Sequence, residues 1–406
     1  KSLYPSAIMS GWTGYENQSL TPPEDCDYYE GEYPPDYEGD EAYPVYFRKE
    51  GKNVLRDVVG GLLEARAEYK RLQKEAIEAG DTDAAKRYGM DEKNTKIIVN
   101  SCYGATASKV NGWGDRGVGA SITRFGRECL KYAKEYAEEQ GFKVVYGDTD
   151  SIYVLGRDDR SKEEHLADAK GLADQITALL QMEHDTTHIE FELEAVYENM
   201  MFTNVKKRYA GRLAWTDKQG WIPEDTPFSE CATIKGLEFR RGDSAPLTRQ
   251  CQQKFLDMVF SGASEQDIRE YFATVADRVR RGDISPSEIF HYTKLKREFS
   301  DYASLAGGNK AAKWFNDNIA NDEITPINVG DGFFFTFAKD GPTVIPTGGY
   351  IAFKEFDEVS DFTLDWEAIA QKTVVGPMKP LFENLNWVTD FLLAKKQRYV
   401  LSDFAA

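Results

Sequence analysis

Cysteine is scarce in this chain, which has five in 406 residues, widely spread and without a C-x-x-C pair. A disulfide framework or a cysteine-based zinc site needs closely paired cysteines, so neither is indicated. The sequence also has no run of about 18 apolar residues, the length of a membrane-spanning helix, and no signal-peptide pattern at its start. These absences favour a soluble protein of a reducing cytoplasm.

A net positive charge is also missing. The chain carries 50 Lys and Arg against 68 Asp and Glu, a net charge of −18. This argues at first against a nucleic-acid partner, because affinity for phosphate comes mainly from basic side chains. However, eleven of the acids lie in the first 50 residues, and residues 206–212 hold four bases and no acid. Local basic tracks on an acidic exterior are compatible with DNA binding, and a salt-rich cytosol would favour such a surface.

The order of predicted elements indicates an α+β fold. A length of 406 residues predicts two or three lobes. Residues 14–44, rich in Pro, Tyr and acids, read as a surface loop. Helices are predicted over 53–78, 83–108, 119–140, 162–182 and 365–396, with a mostly helical stretch over 244–282, and strands over 189–197, 201–206 and 209–215. No regular βαβ rhythm appears, which argues against a doubly wound sheet.

The segment Tyr146-Gly147-Asp148-Thr149-Asp150-Ser151 sets two carboxylates between two apolar runs. In an extended chain residues i and i+2 point the same way, so Asp148 and Asp150 can share one face. Two hard oxygen donors suit Mg²⁺, which usually takes one or two protein carboxylates. The alternative is a hairpin whose aspartates serve only the turn. This segment alone favours neither interpretation.

The two helices predicted over 53–78 and 83–108 form an antiparallel hairpin that carries aligned bases. Arg66 and Lys70 are four residues apart on the first helix, and Lys96, Asn100 and Tyr103 follow an i, i+4, i+7 pattern on the second. Facing inward, the three bases would form a cradle for a polyanion such as a triphosphate. Taken without context, two amphipathic helices with solvated bases explain the pattern better.

Four motifs, in order, resemble those of family B DNA polymerases, most closely the archaeal and large-phage branch. They are S-L-Y-P-S at Ser2–Ser6, K-x-x-x-N-S-x-Y-G at Lys96–Gly104, Y-G-D-T-D-S at Tyr146–Ser151 and K-K-R-Y at Lys206–Tyr209. The resemblance covers essentially the whole chain. It implies template-directed DNA synthesis on primer-template DNA, from dNTPs, in the cytoplasm of a prokaryote or a virus-infected host.

The resemblance implies a right-hand polymerase architecture and a role for each matching residue. The palm would be 1–50 and 109–242, the fingers 51–108 and the thumb with the C-terminal tail 243–406. Asp148 and Asp150 would be catalytic and bind two Mg²⁺ ions, or Mn²⁺ in their place, with Glu194, rather than Glu192, as the auxiliary ligand. The nucleotide would be bound by Ser2, Leu3, Tyr4, Arg66, Lys70, Lys96, Asn100 and Tyr103. Tyr4 would exclude the 2′-hydroxyl of a ribonucleotide by steric rejection.

The resemblance also implies contacts with DNA and with a further protein. The DNA-binding residues would be Lys206, Lys207, Arg208, Tyr209, Lys235, Gly236, Arg240, Arg241, Thr293 and Lys294. The tail resembles sliding-clamp peptides, with Gln397, Leu401 and Phe404 as its contacts. It departs from their pattern, because only Phe404 can fill the aromatic pair.

The chain also departs from the family pattern at its start. The family's aspartate three residues before S-L-Y-P-S would lie just upstream of Lys1, and no exonuclease domain is present. We therefore expect an N-terminal polymerase and exonuclease segment as a partner, and little activity from these 406 residues alone. A trimmed sequence, a split polymerase and a protein-splicing product are three origins that fit. A catalytically silent DNA-binding subunit and a two-metal nuclease are alternative functions. A silent subunit would have no use for the carboxylates, the cradle or Tyr4. A nuclease would have no use for the cradle or Tyr4.

Overall fold

A computed structural model of the chain describes residues 3–35, 41–108, 110–157, 159–238, 242–305 and 307–390. The chain divides into two units, Lys1–Glu194 and Ala195–Ala406, and each has its own hydrophobic core. Within the described ranges no helix has both the length and the apolar composition that a membrane crossing requires.

The first unit combines five helices with two small antiparallel sheets among the residues described. In chain order its elements are α1 (Leu3–Ser10), β1 (Gln18–Ser19), β2 (Tyr28–Tyr33), β3 (Tyr43–Arg48), α2 (Val54–Glu78), α3 (Thr82–Ala107), α4 (Arg116–Glu139), β4 (Lys143–Asp148), β5 (Ser151–Leu155) and α5 (Lys162–Glu183). One sheet has the order β1-β3-β2, and the other is the β4–β5 hairpin.

Helix α4 lies at the centre of the first unit's core. Its buried residues Val118, Ile122, Phe125 and Cys129 recur every three to four positions, as expected for one apolar face of a helix. Beside this face α4 meets the open edge of β2, where Arg124 donates to the carbonyl of Gly31 over 2.8 Å. Because an open strand edge can pair with other chains, α4 protects this sheet as well as packing the core.

The predicted helical hairpin is confirmed as α2 and α3. Asn53 caps α2 by accepting from the Arg56 amide at 3.0 Å, and Asp81 caps α3 in the same way from Ala84 at 2.9 Å. Between them Gly80 has a φ of 75°, a left-handed conformation that suits glycine. Two good N-caps and a glycine at the break explain why the sequence predicts this hairpin closely.

The loop predicted over residues 14–44 is wrong in part, because β1, β2 and the beginning of β3 lie within it. The face of this sheet turned to the core is formed by Tyr29 and Gly31 on β2 and by Val45 and Phe47 on β3. The outward face is acidic and rich in tyrosine. Apolar and polar residues therefore do not alternate clearly along these strands, and the usual sequence pattern of a strand is missing.

The strands predicted over 189–197 and 201–206 are also corrected. The structure has one strand there, β6 (Ala195–Phe202), which pairs with β7 (Tyr209–Thr216). Residues 189–194 run beside α5 instead, where the amide of Phe191 donates to Thr177 Oγ1 at 2.8 Å and Gln181 donates to the Ile189 carbonyl at 2.7 Å. Because α5 satisfies these backbone groups, the segment needs no partner strand.

In its described ranges the second unit contains two four-stranded sheets and several helices. Its further elements are β8 (Gly220–Trp221), α6 (Phe228–Cys231), β9 (Ala232–Lys235), α7 (Pro246–Phe260), α8 (Glu265–Arg280), α9 (Pro286–Ile289), β10 (His291–Lys294), α10 (Gly307–Asn318), β11 (Gly332–Asp340), β12 (Tyr350–Phe353), β13 (Thr363–Leu364), α11 (Trp366–Ala370), a π-helical turn (Gln371–Val375) and α12 (Gly376–Asn384). One sheet runs β6-β7-β8 with β9 also on β7, and the other runs β10-β11-β12 with β13 on β11.

The helix predicted over 365–396 ends earlier than expected, at Asn384. Asn386 takes a left-handed φ of 58°, its amide donates to the Glu383 carbonyl, and the Trp387 amide donates to the Phe382 carbonyl, both at 3.0 Å. This is the hydrogen-bond pattern of a Schellman motif, which stops a helix. Residues 391–396 lie outside the described part of the chain.

Candidate active site

Two of the three candidate metal ligands, Asp148 and Asp150, lie at the tip of the β4–β5 hairpin. Asp148 is the last residue of β4 and pairs with Ser151 of β5. Thr149 has a φ of 52°, and the Asp150 amide donates back to the Asp148 carbonyl at 2.6 Å. A three-residue turn around a positive φ is rare and strained, the more so for a β-branched residue. Strain of this kind is found mainly at functional sites.

The carboxylate of Asp148 is held by its own turn. Thr149 donates its hydroxyl to Asp148 Oδ1 at 3.1 Å, and Ser151 donates to the Asp148 carbonyl at 3.3 Å. The Asp148 side chain is half-buried, whereas Asp150 is exposed. The extended geometry ends at Asp148, so the strand argument for a shared face does not apply; the two aspartates instead stand at the two ends of the three-residue turn.

Glu194 does not join the aspartates in a three-ligand cluster. Among the described residues no group of three or more His, Cys, Asp and Glu side chains is placed to hold a metal ion. Glu192 and Glu194 are both exposed and lie on the segment beside α5. Asp148, Asp150 and Glu194 therefore stay predictions as metal ligands. Two carboxylates suit Mg²⁺, which fills its remaining positions with water or phosphate oxygens.

The cradle residues lie on the facing helices α2 and α3. The side chain of Gln73 lies over Gly89, where an added Cβ would be 2.5 Å from Gln73 Nε2. Arg66 lies two turns before Gln73 on α2, and Lys96 lies two turns after Gly89 on α3. Because the two helices are antiparallel, Arg66 and Lys96 are at the same height along the hairpin. Within the part of the chain that the structure describes, neither Lys70 nor Lys96 has an ion-pair partner, and both are exposed. Two of the three predicted cations are thus available to an anion.

Arg66, the third cation, is already paired. Its Nε lies 2.7 Å from Glu92 Oε1 on α3, and the two side chains are 13% and 18% exposed. The sequence argument missed Glu92, although it lies four residues before Lys96 and therefore on the same helical face as Lys96 and Asn100. Asn100 itself is exposed.

Tyr4 and Tyr103 are brought together from motifs that are far apart in the sequence. Their rings stack with centroids 4.1 Å apart and planes 16° from parallel. Burial raises the pKa of Tyr103, so its phenol is neutral at physiological pH. Leu3 precedes Tyr4 on α1 and lies over Gly126 of α4, where an added Cβ would be 2.9 Å from Leu3 Cδ2. Ser2 lies outside the described residues.

In the second unit the basic residues lie in the loop between β6 and β7. The amide of Thr203 donates to the Arg208 carbonyl at 3.0 Å, and Lys207 takes a left-handed φ of 64°. Lys206 and Lys207 are exposed, and Arg208 is half-buried. Tyr209, the first residue of β7, is 8% exposed, so it anchors the end of the loop in the protein interior.

Gly236 packs directly against this loop. It has a φ of 64°, and a Cβ added to it would lie 2.1 Å from the Lys207 carbonyl oxygen. Lys235 precedes it at the end of β9 and is exposed. A groove of ≈ 330 Å³ lies beside the loop, with Arg208, Glu238 and Lys372 among its lining residues. Sequence reasoning missed Lys372, which belongs to the π-helical turn.

The remaining predicted DNA contacts lie on β10 or outside the described residues. Thr293 is half-buried, with its methyl group close to Gly308, whereas Lys294 is exposed on the other face of the strand, beside Tyr292. The residues that lie outside the described ranges are Arg240, Arg241, Gln397, Leu401 and Phe404.

Comparison with known proteins identifies the family. The model of DNA polymerase family B matches residues 1–384, so the chain belongs to this family. It is 28% identical over 261 residues to a DNA polymerase of Archaeoglobus fulgidus, which covers 64% of this chain and 29% of that protein. It is 30% identical over 233 residues to DNA polymerase II of Escherichia coli K12, which covers 54% of this chain and 28% of that protein.

A solved structure shows the same fold. The family B DNA polymerase of Pyrobaculum calidifontis superposes with a TM-score of 0.58 at 20% identity, over 94% of this chain and 44% of that one. The predicted α+β polymerase fold is therefore confirmed. The chain spans less than a third of the length of the two curated relatives above. The palm, fingers and thumb boundaries stay predictions.

Proposed function

We propose that the chain carries the nucleotidyl-transfer site of a DNA-directed DNA polymerase. The stacking of Tyr4 on Tyr103 is the observation that carries this proposal. It joins the first motif, on α1, to the second, on α3 of the helical hairpin. A silent DNA-binding subunit has no need for this stacked pair beside a row of cations.

The triphosphate of the incoming dNTP would lie along the helical hairpin. Lys70 and Lys96 are exposed cations on facing helices, and Asn100 continues the same face of α3 one turn further. Charge-assisted hydrogen bonds from such groups hold phosphate oxygens firmly. Positioning and charge neutralisation provide most of the catalysis in phosphoryl-type transfer, so a cradle of this kind is a functional part of the site.

Asp148 and Asp150 would hold the divalent metal ions that this reaction requires. Two Mg²⁺ ions, or Mn²⁺ in their place, stabilise the attacking primer 3′-oxygen and the leaving pyrophosphate when bound. The half-buried Asp148, fixed by the Thr149 hydroxyl, is suited to a defined ligand position. The strained turn would keep both carboxylates at the hairpin tip without long side-chain rearrangements.

The primer-template duplex would contact the loop between β6 and β7. Lys206 and Lys207 are exposed there, and Lys294 is exposed on β10. Minor-groove readout is degenerate, which suits an enzyme that must accept every sequence. The groove that contains Arg208 and Lys372 extends this basic surface.

Sugar discrimination tests the proposal. In primer extension by the product of the complete natural gene, Tyr4→Ala should raise the use of rNTPs relative to dNTPs by about 100-fold, because the steric barrier to a 2′-hydroxyl is removed. Tyr28→Ala is the matched control, since Tyr28 is exposed on the outer face of β2, and it should leave the ratio unchanged. An unchanged ratio in Tyr4→Ala, or no templated extension by the wild type, would refute the assignment.

A further inference from the structure

The ion pair between Arg66 and Glu92 is at odds with a site for a polyanion. Its Nε–Oε1 distance is 2.7 Å, and both side chains are less than one-fifth exposed. Other pairs on the hairpin, such as Arg71 with Glu68, lie in solvent with side chains about half exposed. A partly buried carboxylate thus lies inside the predicted phosphate cradle.

The heights of the residues along the helical hairpin place Glu92 close to all three cations, Arg66, Lys70 and Lys96. The contact of Gln73 with Gly89 sets Lys70 level with Glu92 and Arg66 level with Lys96. Glu92 and Lys96 are also one turn apart on the same face of α3. The carboxylate therefore neutralises part of the charge that a triphosphate would meet.

We propose that Glu92 tunes the affinity of this site for the nucleotide, by holding Arg66 when no nucleotide is bound and releasing it to the triphosphate. The inference rests on the proposed function, which assigns Arg66 to the triphosphate. The exchange replaces one carboxylate partner of the guanidinium with a phosphate partner, and both make charge-assisted hydrogen bonds. The free-energy cost of this exchange has two parts, the attraction between Arg66 and Glu92 that is lost and the repulsion between Glu92 and the phosphates. Glu92 is thus a positioning residue that acts through Arg66.

Glu92→Gln isolates the charge from the hydrogen bond. Glutamine keeps an acceptor for Arg66 Nε, so the hairpin should stay folded, while the negative charge is lost. We expect the Kd for a dNTP to fall about ten-fold, because less Coulomb attraction must be broken and less repulsion is met. In steady-state extension the KM should fall while kcat is unchanged, since the change affects binding and not the transfer step.

The Kd is measured by titrating a dNTP with Mg²⁺ onto the product of the complete natural gene, bound to a dideoxy-terminated primer-template hairpin. Glu68→Gln is the matched control, because it removes a carboxylate from the exposed pair with Arg71, and it should leave the Kd unchanged. Arg66→Ala should weaken binding, and in that background the gain from Glu92→Gln should shrink to about two-fold, since the exchange no longer occurs. Circular dichroism and thermal melting check that each variant keeps its helices.

The outcomes separate the inference from the proposed function. If Arg66→Ala weakens binding but Glu92→Gln leaves it equal or weaker, the charge of Glu92 does not oppose nucleotide binding and the inference is overturned, while the proposed function stands. If Arg66→Ala binds as the wild type does, or the wild type binds no dNTP, the assignment of Arg66 fails and the inference fails with it. A tighter Glu92→Gln whose gain is undiminished without Arg66 would also overturn it.

Discussion

Gly236 offers a sharp test of how the predicted DNA-binding loop is supported. An alanine Cβ at this position would lie 2.1 Å from the Lys207 carbonyl oxygen, 3.0 Å from the Lys207 carbonyl carbon and 3.1 Å from Arg208 Cγ. The first two atoms are backbone and cannot rotate away. Gly236→Ala must therefore displace either β9 or the loop between β6 and β7.

Gly262 is the matched control because it shares the backbone conformation but not the contact. Its φ is 75°, against 64° for Gly236, and nothing lies within 4 Å of a Cβ added to it. The left-handed conformation costs an alanine about 1–2 kcal/mol, partly offset by the lower entropy of the unfolded chain. Gly262→Ala should thus lower the free energy of unfolding by about 1 kcal/mol.

Gly236→Ala bears the same conformational cost and adds an overpacking cost of about 1–3 kcal/mol, so its total should be about 2–4 kcal/mol. Urea denaturation measures the stability of both variants, and fluorescence anisotropy measures their affinity for a primer-template duplex. We expect weaker DNA binding only for Gly236→Ala, because only this variant moves Lys207 and Arg208. Equal stability losses together with unchanged DNA affinity in both variants would refute the reasoning.

Three further changes probe other parts of the structure. Asn53→Ala should cost about 1–2 kcal/mol, because α2 loses its N-cap and the Trp12 carbonyl loses a donor at 2.8 Å; Asn53→Ser, which keeps a capping oxygen without burying a charge, should lose less in the same urea titration. Thr149→Gly should raise the free energy of unfolding by about 1 kcal/mol, because glycine adopts the positive φ without strain. The same variant should bind Mn²⁺ more weakly in electron paramagnetic resonance titrations, because Asp148 loses the hydrogen bond from the Thr149 hydroxyl. Unchanged Mn²⁺ binding would show that the hydroxyl is dispensable. Burial lowers the pKa of His291 below its ordinary 6.5, so the unfolded chain binds more protons and stability falls as the pH drops through 6.5; His291→Phe should flatten that decline between pH 7 and 5, and an unchanged slope would contradict the account.

Local signals account for the parts of the fold that the sequence predicts well. The helical hairpin has Asn53 and Asp81 as N-caps and Gly80 at the break, and each of these acts within a few residues. The β4–β5 hairpin likewise follows from two short apolar runs on either side of a turn. Such features need no knowledge of distant contacts.

Long-range contacts account for the parts that it predicts poorly. The segment 189–194 has the alternation of a strand, but Thr177 and Gln181 of α5 satisfy its backbone groups. The sheet β1-β3-β2 depends on α4 covering its edge, and its inner face uses Gly31, which carries no apolar side chain. Neither arrangement can be read from the hydrophobic pattern of the segment itself, because its cause is a contact with a distant helix.

The candidate site shows the same division. Motif resemblance named Tyr4 and Tyr103, and the structure stacks them. The motif resemblance did not indicate that Glu92 pairs with Arg66, because a carboxylate is the side chain least expected in a phosphate cradle. The helical spacing of Glu92 and Lys96 was the available signal.

The most direct test of the central claim is Mg²⁺-dependent primer extension by the product of the complete natural gene, wild type against Asp148→Asn. Asparagine keeps the size of the side chain but loses the charge that holds a metal ion. Because metal-ion stabilisation of the transfer is worth several kcal/mol, we predict templated incorporation by the wild type and a loss of about 1,000-fold in the variant. Undiminished templated extension by Asp148→Asn would contradict the account.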